Sequence, residues 1–383
     1  MNPLTLHEFH HSLGARFSEL NGSKIVAHYG DMPAEHAALH ASAGVIDLSF
    51  RSRLCLVGAD RARFLHGQVT NDVKKLRAGE GCYAAITTAK GKMESDLNIF
   101  CLADELLLDF EPGLTGKISA RLEKYLVSDD VQIVDAAPHY GLLSVQGPKS
   151  ADVIRALNLF PEIPANEFGS VKISDPTLGE IYLANHARLF FGAPNSDSAS
   201  RGNKNQNADL EIGAPPAGFD LFIPNNSLGA VADKLIAAAK NFGGRACGWA
   251  AFETTRIENG IPRFGADMDE NNLPQECGLD TRAVSFNKGC YLGQEVINRI
   301  HSFGHVNKEL RRLRLADDLP ALPVRGEKLF RDGKEAGYIT SAVKSPMFTA
   351  ILALGYVRRE ANQIGGELIL QTASQSSTVK IVG

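Results

Sequence analysis

The sequence predicts an α+β fold with more than one domain. Three strand-like runs, at 82–88, 93–102 and 105–110, come directly before a helix at 114–127. This order favours an antiparallel sheet with a helix on it over a parallel, doubly wound sheet. From about 310 the chain turns into short strands separated by turn signals, which is typical of a small antiparallel barrel. A length of 383 residues suits two or three domains.

The first fifty residues are expected to begin with helices. Apolar residues of the opening segment recur at steps of three and four positions: Leu6, Phe9, Leu13, Phe17 and Leu20. This spacing predicts an amphipathic helix over 4–20. Asp31 followed by Pro33 predicts the start of a second helix. A short strand at 53–58 follows, and then a helix capped by Asp60.

The middle of the chain mixes strands and helices from 131 to 245. Within it, the polar stretch 193–216 is bracketed by prolines and is rich in Asn, Ser and Gly, which predicts an exposed, mobile insertion. We therefore expect a discontinuous first domain from 1–50 and 131–245, and a second α+β domain from 51–130. A connecting segment at 246–309 leads to the C-terminal β-barrel at 310–383, which contains an Asp332-Gly333 hairpin turn.

Composition narrows the class of protein. The net charge is −4 and no apolar run is long enough to span a membrane. The six cysteines form no Cys-x-x-Cys pair, which indicates reduced thiols and a cytoplasmic protein. The His-Glu-Phe-His-His stretch at 7–11 matches HExxH, but we expect a solvated helix face there, because no third ligand follows. No stable metal site is expected, and the one residue expected to hold iron or a cluster, transiently, is Cys290.

The octapeptide KGCYLGQE at 288–295 carries the strongest chemical signal. Cys290 precedes a predicted helix and lies two residues from Lys288, and both a helix N-terminus and an ammonium favour a thiolate. Gly289 and Gly293 allow a tight backbone path around it. The alternative is that Cys290 is only a small residue that fills a tight turn.

Two further stretches could face a polar ligand. The first places Asp96 on a strand after Lys90 and Lys92, and the second places Arg256 on a helix before a Gly- and Pro-rich segment. A strand aspartate usually faces solvent. If Asp96 is buried it needs a hydrogen-bonding partner, and a pteridine-like ring with amino and N–H donors would suit it.

Several of these stretches together resemble one family. They are 44–73, KGKMESDLNIF, ENGIPRFGADMDENNLPQECGLD and above all KGCYLGQEVINRIHSFGHVNKELRRL. They are similar to the YgfZ-type proteins, folate-binding iron–sulfur cluster assembly and repair factors related to the T-protein (aminomethyltransferase) of the glycine cleavage system. The resemblance implies a three-domain cloverleaf with a central cavity for tetrahydrofolate and a C-terminal antiparallel barrel.

The resemblance also implies site residues. Where T-proteins have two adjacent aspartates near the folate, this chain has Ser95 and Asp96. The family glutamate that holds the pterin corresponds to Asp220, and the family arginine corresponds to Arg256. Asp109 replaces a strand-end asparagine, a weaker correspondence. In the octapeptide, Cys290 would face or rim the folate cavity as a thiolate, and Lys288 nearby would contribute to cofactor binding. The remaining motif residues would support this turn: Gly289, Tyr291, Gly293, Gln294 and Glu295.

Three functions follow as expectations. The first is a tetrahydrofolate-binding accessory protein, expected to be a monomer, that maintains iron–sulfur client enzymes of the [4Fe–4S] class and uses Cys290. The alternative is a tetrahydrofolate-dependent aminomethyltransferase or demethylating transferase. The third is a factor associated with tRNA modification, for which the basic run KELRRLRL at 308–315 is the only support. Direct binding of nucleic acid is not expected.

Overall fold

A computed structural model describes residues 3–189, 218–317, 319–372 and 376–383. The insertion expected at 193–216 lies outside these residues. Among the described residues, no helix has both the length and the apolar character that a membrane crossing requires.

The N-terminal segment differs from the single helix expected over 4–20. Helix α1 (His7–Ser12) is short, and the chain then forms strand β1 (Arg16–Leu20) and strand β2 (Ser23–His28), which pair as an antiparallel hairpin. Gly14 has a φ of +83°, which interrupts the helix. The spacing of apolar residues was a misleading signal here, because Phe17 and Leu20 belong to the hairpin and not to the helix.

A six-stranded sheet forms the largest layer, in the order β10-β11-β12-β9-β3-β13. Its strands are β3 (Gly44–Asp47), β9 (Tyr140–Gln146), β10 (Ser170–Asp175), β11 (Gly179–Asn185), β12 (Gly218–Pro224) and β13 (Arg245–Ala246). Helices α5 (Ser150–Ala156) and α6 (Leu228–Asn241) pack on it through a large apolar cluster. Helix α2 (Met32–Ala41) begins where the sequence predicts, with the Asp31 carboxylate accepting from the Ala34 amide.

A second sheet has five strands in the order β5-β6-β7-β4-β8. They are β4 (Ser52–Val57), β5 (Glu80–Thr87), β6 (Met93–Cys101), β7 (Glu105–Phe110) and β8 (Gln132–Asp135). Helices α3 (Arg61–Gln68) and α4 (Thr115–Glu123) cover one face. Asp60 precedes α3 without capping it through its side chain, since its carboxylate accepts instead from Arg63 and from the Asp130 amide.

The C-terminal strands close into a barrel in the order β14-β17-β16-β15-β18-β19, as expected from the strand-rich sequence. They are β14 (Lys308–Leu315), β15 (Lys328–Arg331), β16 (Lys334–Ser345), β17 (Ala350–Arg358), β18 (Glu367–Gln371) and β19 (Ser376–Ile381). The basic run occupies β14, where Arg312 is buried and donates to the Glu258 carbonyl. These cations therefore do not form one continuous exposed face.

The segment between the sheets and the barrel contains three helices: α7 (Trp249–Glu258), α8 (Asp280–Ala283) and α9 (Gln294–Phe303). Helix α7 contacts α2, β2, β16 and β17. It therefore lies between the six-stranded sheet and the barrel, and its side chains reach both. The domain boundaries themselves stay a prediction, although β8 pairs with β4 and so belongs to the five-stranded sheet.

Candidate functional site

A polar cavity of about 90 Å³ lies where the two sheets and the α7 region meet. Five arginines and two carboxylates line it, together with aromatic and apolar side chains. The charged residues are Arg51, Asp96, Glu111, Arg188, Arg256, Arg263 and Arg282. All five guanidinium groups also pair with carboxylates in or behind the cavity wall, so their charge is compensated within the protein.

Asp96 reaches this cavity because of strand alternation on β6. Successive side chains of a strand point to opposite faces, so Ser95 is fully buried on one face and Asp96 faces the cavity on the other. The Tyr83 hydroxyl donates to Asp96 Oδ2 across 2.7 Å. Asp96 Oδ1 is buried and has no hydrogen-bond partner. The cavity therefore presents one unused carboxylate acceptor.

The environment of Asp96 shifts its titration towards neutral pH. Burial is the main cause and the nearby Glu111 adds to it, and together they raise the pKa of Asp96 from 3.8 to about 6. The hydrogen bond from Tyr83 and the charge of Arg51 oppose this shift. At pH 7 the carboxylate is still mostly ionised, so it can accept a hydrogen bond from an N–H donor.

Asp220 lies behind the cavity wall and both its oxygens are engaged. Arg188 Nε donates to Oδ1 across 3.0 Å, and His186 Nδ1 lies 2.8 Å from Oδ2. Burial works against ionisation, but Arg188 and His186 outweigh it and lower the pKa of Asp220. Asp220 is the carboxylate that the family resemblance assigns to pterin binding. In the structure it orients Arg188 and His186, and these two side chains line the cavity.

His186 is itself a neutral group in this arrangement. Burial and the charge of Arg188 lower its pKa below 6.5 despite the neighbouring Asp220. Since Asp220 is ionised, the Nδ1 atom carries the single imidazole proton. The Nε2 atom of this cavity-lining ring is then left as an acceptor.

Asp109 is also buried and fully occupied. Arg51 Nε donates to it across 2.9 Å, Arg188 across 2.8 Å and the Asn98 amide across 3.0 Å. Burial opposes ionisation, but Arg188 and Arg51 hold the pKa of Asp109 well below its usual range. Asp109 thus fixes two arginines at the cavity and does not line the cavity.

Arg256 lines the cavity and is held from behind. Its guanidinium donates to Asp267 Oδ2 across 2.6 Å and to the Ile261 carbonyl across 2.9 Å, and it also pairs with Glu253. Asp267 Oδ1 accepts from the hydroxyl groups of two barrel residues, Thr340 and Ser341, each across 2.6 Å. This network connects the arginine that the sequence predicts for folate binding to the barrel.

The Lys288 ammonium has a different position from the one predicted. It is buried and donates to three backbone carbonyls, those of His66, Val69 and Asn71, at 2.5, 2.7 and 2.9 Å. Burial lowers the pKa of Lys288 from 10.5 to about 8. Lys288 is not among the residues that line the polar cavity. It instead fixes the octapeptide against the chain that follows α3.

The rest of the octapeptide is held against the five-stranded sheet. Gly293 has a φ of +92°, and a Cβ atom there would lie 2.5 Å from the Thr88 carbonyl oxygen. The Tyr291 ring is buried, and the Lys288 ammonium lies over it at 4.9 Å from the ring centroid. Gln294 donates weakly to the Gly289 carbonyl across 3.5 Å, and Glu295 is exposed.

Cys290 is exposed, unlike the other five cysteines, which are buried or half-buried. It is not one of the residues lining the polar cavity. A contact route does connect the two places: Lys288 donates to the Asn71 carbonyl, and the Asn71 amide donates to the carbonyls of Tyr83 and Arg282. The octapeptide therefore positions a loop that supports two residues of the cavity.

The sequence did not point to several residues of this site. They are Arg51, Tyr83, Glu111, His186, Arg188, Arg263 and Arg282. Most are isolated charges on strands or loops, with no motif around them. The one available signal was the His-Ala-Arg stretch at 186–188, where two polar side chains directly follow the apolar strand β11.

A larger cleft of about 690 Å³ lies beside the barrel. Its basic residues are Lys92, His305, Lys308, Arg358 and Arg359, and Tyr338 and Tyr356 also line it. The Lys308 ammonium lies 4.5 Å from the centroid of the Tyr356 ring. This cleft has the volume of a small-molecule site, which the polar cavity lacks.

Comparisons with known proteins agree with this architecture. Residues 6–187 and 216–288 match the family described as the GCVT N-terminal domain, and residues 308–383 match the glycine cleavage T-protein C-terminal barrel domain. An aminomethyltransferase from Halalkalibacterium halodurans is 25% identical over 98% of this chain and 95% of its own length. An Arabidopsis thaliana protein that carries the name "Putative transferase, chloroplastic" is 26% identical over 94% of this chain and 75% of its own length.

Among solved structures, the glycine cleavage system aminomethyltransferase T from Bartonella henselae superposes with a TM-score of 0.82. The match covers 100% of this chain and 97% of that chain at 21% identity. At this identity the similarity shows the fold. It confirms the predicted α+β T-protein fold with its C-terminal antiparallel barrel.

Proposed function

Because the chain belongs to the glycine cleavage T-protein family, with its GCVT N-terminal domain and C-terminal barrel domain, we propose that it is a tetrahydrofolate-dependent transferase. Tetrahydrofolate or a folate derivative would bind at the polar cavity. The one-carbon unit that it accepts would come from an aminomethyl group. The relatives that carry the name aminomethyltransferase support this proposal.

The single observation that carries the proposal is the unused acceptor of Asp96. A buried carboxylate oxygen without a partner is costly unless a ligand completes it, and Asp96 Oδ1 is such an atom. The N–H groups of a pterin ring are suitable donors. In this proposal Asp96 accepts from the pterin, His186 Nε2 offers a second acceptor, and Arg256 faces negative charge.

The polar cavity is too small for a pterin ring unless some of its lining side chains move. Its volume of about 90 Å³ corresponds to roughly three water molecules at about 30 Å³ each. A bicyclic ring therefore requires lining side chains to move outwards. Arg282 is a candidate for this movement, because it pairs at the rim with Glu167, whose side chain is 32% exposed.

Asp96, which would hold the ligand, can also accept and release a proton during the reaction. Tetrahydrofolate supplies the amine nitrogen atoms that accept a one-carbon unit. Asp96, with a pKa of about 6, is mostly ionised at pH 7 and can be protonated at little cost. The Tyr83 hydroxyl fixes one of its oxygens, so the other oxygen is directed to the ligand.

The test is an assay of purified protein with tetrahydrofolate and an aminomethyl donor, in which methylenetetrahydrofolate and ammonia are measured. The proposal predicts turnover by the wild type and a loss of about 100-fold or more in Asp96→Asn, which keeps the shape but not the charge. Absence of turnover, with tetrahydrofolate binding retained, would contradict transferase activity but not folate binding.

A second candidate rests on the exposed Cys290. We propose as the alternative that the chain is a YgfZ-type accessory protein for iron–sulfur enzymes, in which this thiol contacts a client protein. One cysteine supplies only part of the ligands of a cluster, so the client or another thiol would supply the rest. The exposure of Cys290 in a firmly held loop supports this candidate.

Measurements of iron–sulfur enzyme activity in cells distinguish the transferase from the accessory protein. Replacement of Cys290 by Ser should lower the activity of [4Fe–4S] enzymes in a cell that lacks the wild-type gene, while Cys101→Ser, at a half-buried cysteine, serves as the control. Unchanged enzyme activities in Cys290→Ser would reject the accessory role. An association with tRNA modification has no support among the described residues beyond the divided basic run on β14.

A further inference from the structure

Three side chains of the types that bind metal ions meet where helix α2 contacts the end of helix α7. His36 and His40 lie one turn apart on helix α2, and Glu258 is the last residue of helix α7. Glu258 is fully buried, and the side chains of His36 and His40 are 6% and 15% exposed. None of the three lines the polar cavity.

Their donor atoms form a compact triangle. The Nε2 atoms of His36 and His40 lie 2.7 and 3.0 Å from Glu258 Oε2, and 3.1 Å from each other. In a tetrahedral site with metal–ligand bonds of about 2.0–2.1 Å, neighbouring ligand atoms are roughly 3.3 Å apart. The edges of the triangle are each shorter than this, by about 0.2 to 0.6 Å, so a small outward movement of the side chains gives one face of such a tetrahedron.

Hydrogen bonds alone account poorly for this geometry. A neutral imidazole has one N–H, so each Nε2 can donate in only one direction. If both rings donate to the Glu258 carboxylate, their two N–H groups converge on the same Oε2 atom with the nitrogen atoms only 3.1 Å apart. If one ring donates to the other, one contact with the carboxylate lacks a proton. A cation at the centre uses the lone pairs of all three atoms at once.

The surroundings hold the carboxylate in place for such a role. The hydroxyl of Ser345, the last residue of β16, donates to Glu258 Oε1, which leaves Oε2 for the two imidazoles. Carboxylate ligands of metals are commonly oriented by a second hydrogen bond of this kind. Arg312 donates to the Glu258 main-chain carbonyl across 2.8 Å, and not to the carboxylate.

We propose that His36, His40 and Glu258 bind one divalent transition-metal ion of the class of Zn²⁺. Two imidazoles and one carboxylate are ligands that suit Zn²⁺ better than Mg²⁺ or Ca²⁺. The partial exposure of His40 leaves room for water as a fourth ligand. Because the ligands lie on α2 and α7 and the supporting serine on the barrel, the ion fastens these three parts together.

The test uses full-length protein without a polyhistidine tag, freed of metal with a chelator. Zn²⁺ alone is titrated against a chromophoric chelator, and Co²⁺ is added separately to record the visible absorption of a tetrahedral site. We expect one equivalent of bound Zn²⁺, a tetrahedral Co²⁺ spectrum and a higher Tm with Zn²⁺. A loss of affinity of about 100-fold or more is expected in His40→Gln.

Matched variants separate this site from adventitious binding. His139→Gln, at an exposed histidine outside the triangle, should bind Zn²⁺ like the wild type. Glu258→Gln provides a second loss variant, and the Tm of each variant without metal shows whether it folds. Equal Zn²⁺ affinity in the wild type and His40→Gln, or no stoichiometric binding in the wild type, would overturn the proposal. Neither outcome depends on folate or on transfer activity.

Discussion

The Lys288 ammonium donates a hydrogen bond across 2.7 Å to the carbonyl oxygen of Val69, a residue 219 positions earlier in the chain. The carbonyls of His66 in helix α3 and of Asn71 in the following loop accept from the same ammonium. Lys288 thus attaches the octapeptide, by three hydrogen bonds, to the end of helix α3 and the loop that follows it. Its cysteine is the part that remains accessible.

Replacing Lys288 by Met should lower the free energy of unfolding by about 2–4 kcal/mol. The change leaves three carbonyls at the end of α3 without their donor, and each unsatisfied group costs about 1–3 kcal/mol before water compensates. Urea denaturation followed by circular dichroism measures the loss. Lys74→Met, at an exposed lysine of the same region, should change stability by less than about 0.5 kcal/mol. Equal effects would contradict the proposed attachment.

Gly293→Ala tests the close approach of the octapeptide to the β5–β6 turn. Both Gly293 and Gly326 have positive φ angles, +92° and +96°, but only at Gly293 would a Cβ meet the Thr88 carbonyl, at 2.5 Å. We expect Gly326→Ala to cost about 1 kcal/mol from backbone conformation, and Gly293→Ala at least about 2 kcal/mol more. Thermal unfolding of the two variants side by side gives this difference, and similar Tm values would refute it.

Arg188→Met should be among the most destabilising single changes at the cavity. The guanidinium pairs with the buried carboxylates of Asp109 and Asp220, and its loss leaves both under-compensated. Breaking a buried pair typically costs about 3–5 kcal/mol. The exposed pair of Arg155 with Asp152 is the control, since Arg155→Met should cost less than about 1 kcal/mol. If Arg188→Met also lowered the free energy of unfolding by less than about 1 kcal/mol, the pairs of Arg188 with Asp109 and Asp220 would contribute little to stability.

The raised pKa of Asp96 predicts a pH-dependent gain in stability for Asp96→Asn. A carboxyl with a folded pKa of about 6 and an unfolded value near 3.8 destabilises the fold above pH 6, and this cost is relieved as pH falls from 6 towards 4. Asp96→Asn should therefore be more stable than the wild type by about 3 kcal/mol at pH 8. The difference should nearly vanish at pH 4. Denaturant titrations at both values test this, with the exposed Asp233→Asn as a variant that should show no such trend.

The fold was largely predictable because its elements have strong local signals. The Asp31-Met-Pro start of α2 and the short strands of the barrel followed from N-capping and alternation. The N-terminal helix was predicted too long because Gly14 breaks the periodic pattern through backbone conformation, which apolar spacing does not register.

Family resemblance, and not local pattern, pointed to the residues of the polar cavity that the sequence analysis names. Asp96 and Arg256 do line the cavity, whereas Asp109 and Asp220 lie behind it and orient Arg188. Arg188 and His186 could not be identified as their partners from sequence, because Asp220 lies 32 or more positions away from them and Asp109 belongs to the other sheet. Long-range charge pairing depends on the tertiary arrangement and leaves no local pattern.

The most direct test of the account is calorimetric titration of tetrahydrofolate into the wild type, Asp96→Ala, Cys290→Ser and the exposed-site control Asp233→Ala. The account predicts that Asp96→Ala weakens binding by about 10- to 100-fold, the loss expected for one charged hydrogen bond. The other two variants should bind like the wild type, and wild-type affinity should fall roughly tenfold from pH 7 to pH 5 as Asp96 is protonated. Unchanged affinity in Asp96→Ala would contradict the central claim that this unpartnered carboxylate receives the folate ring.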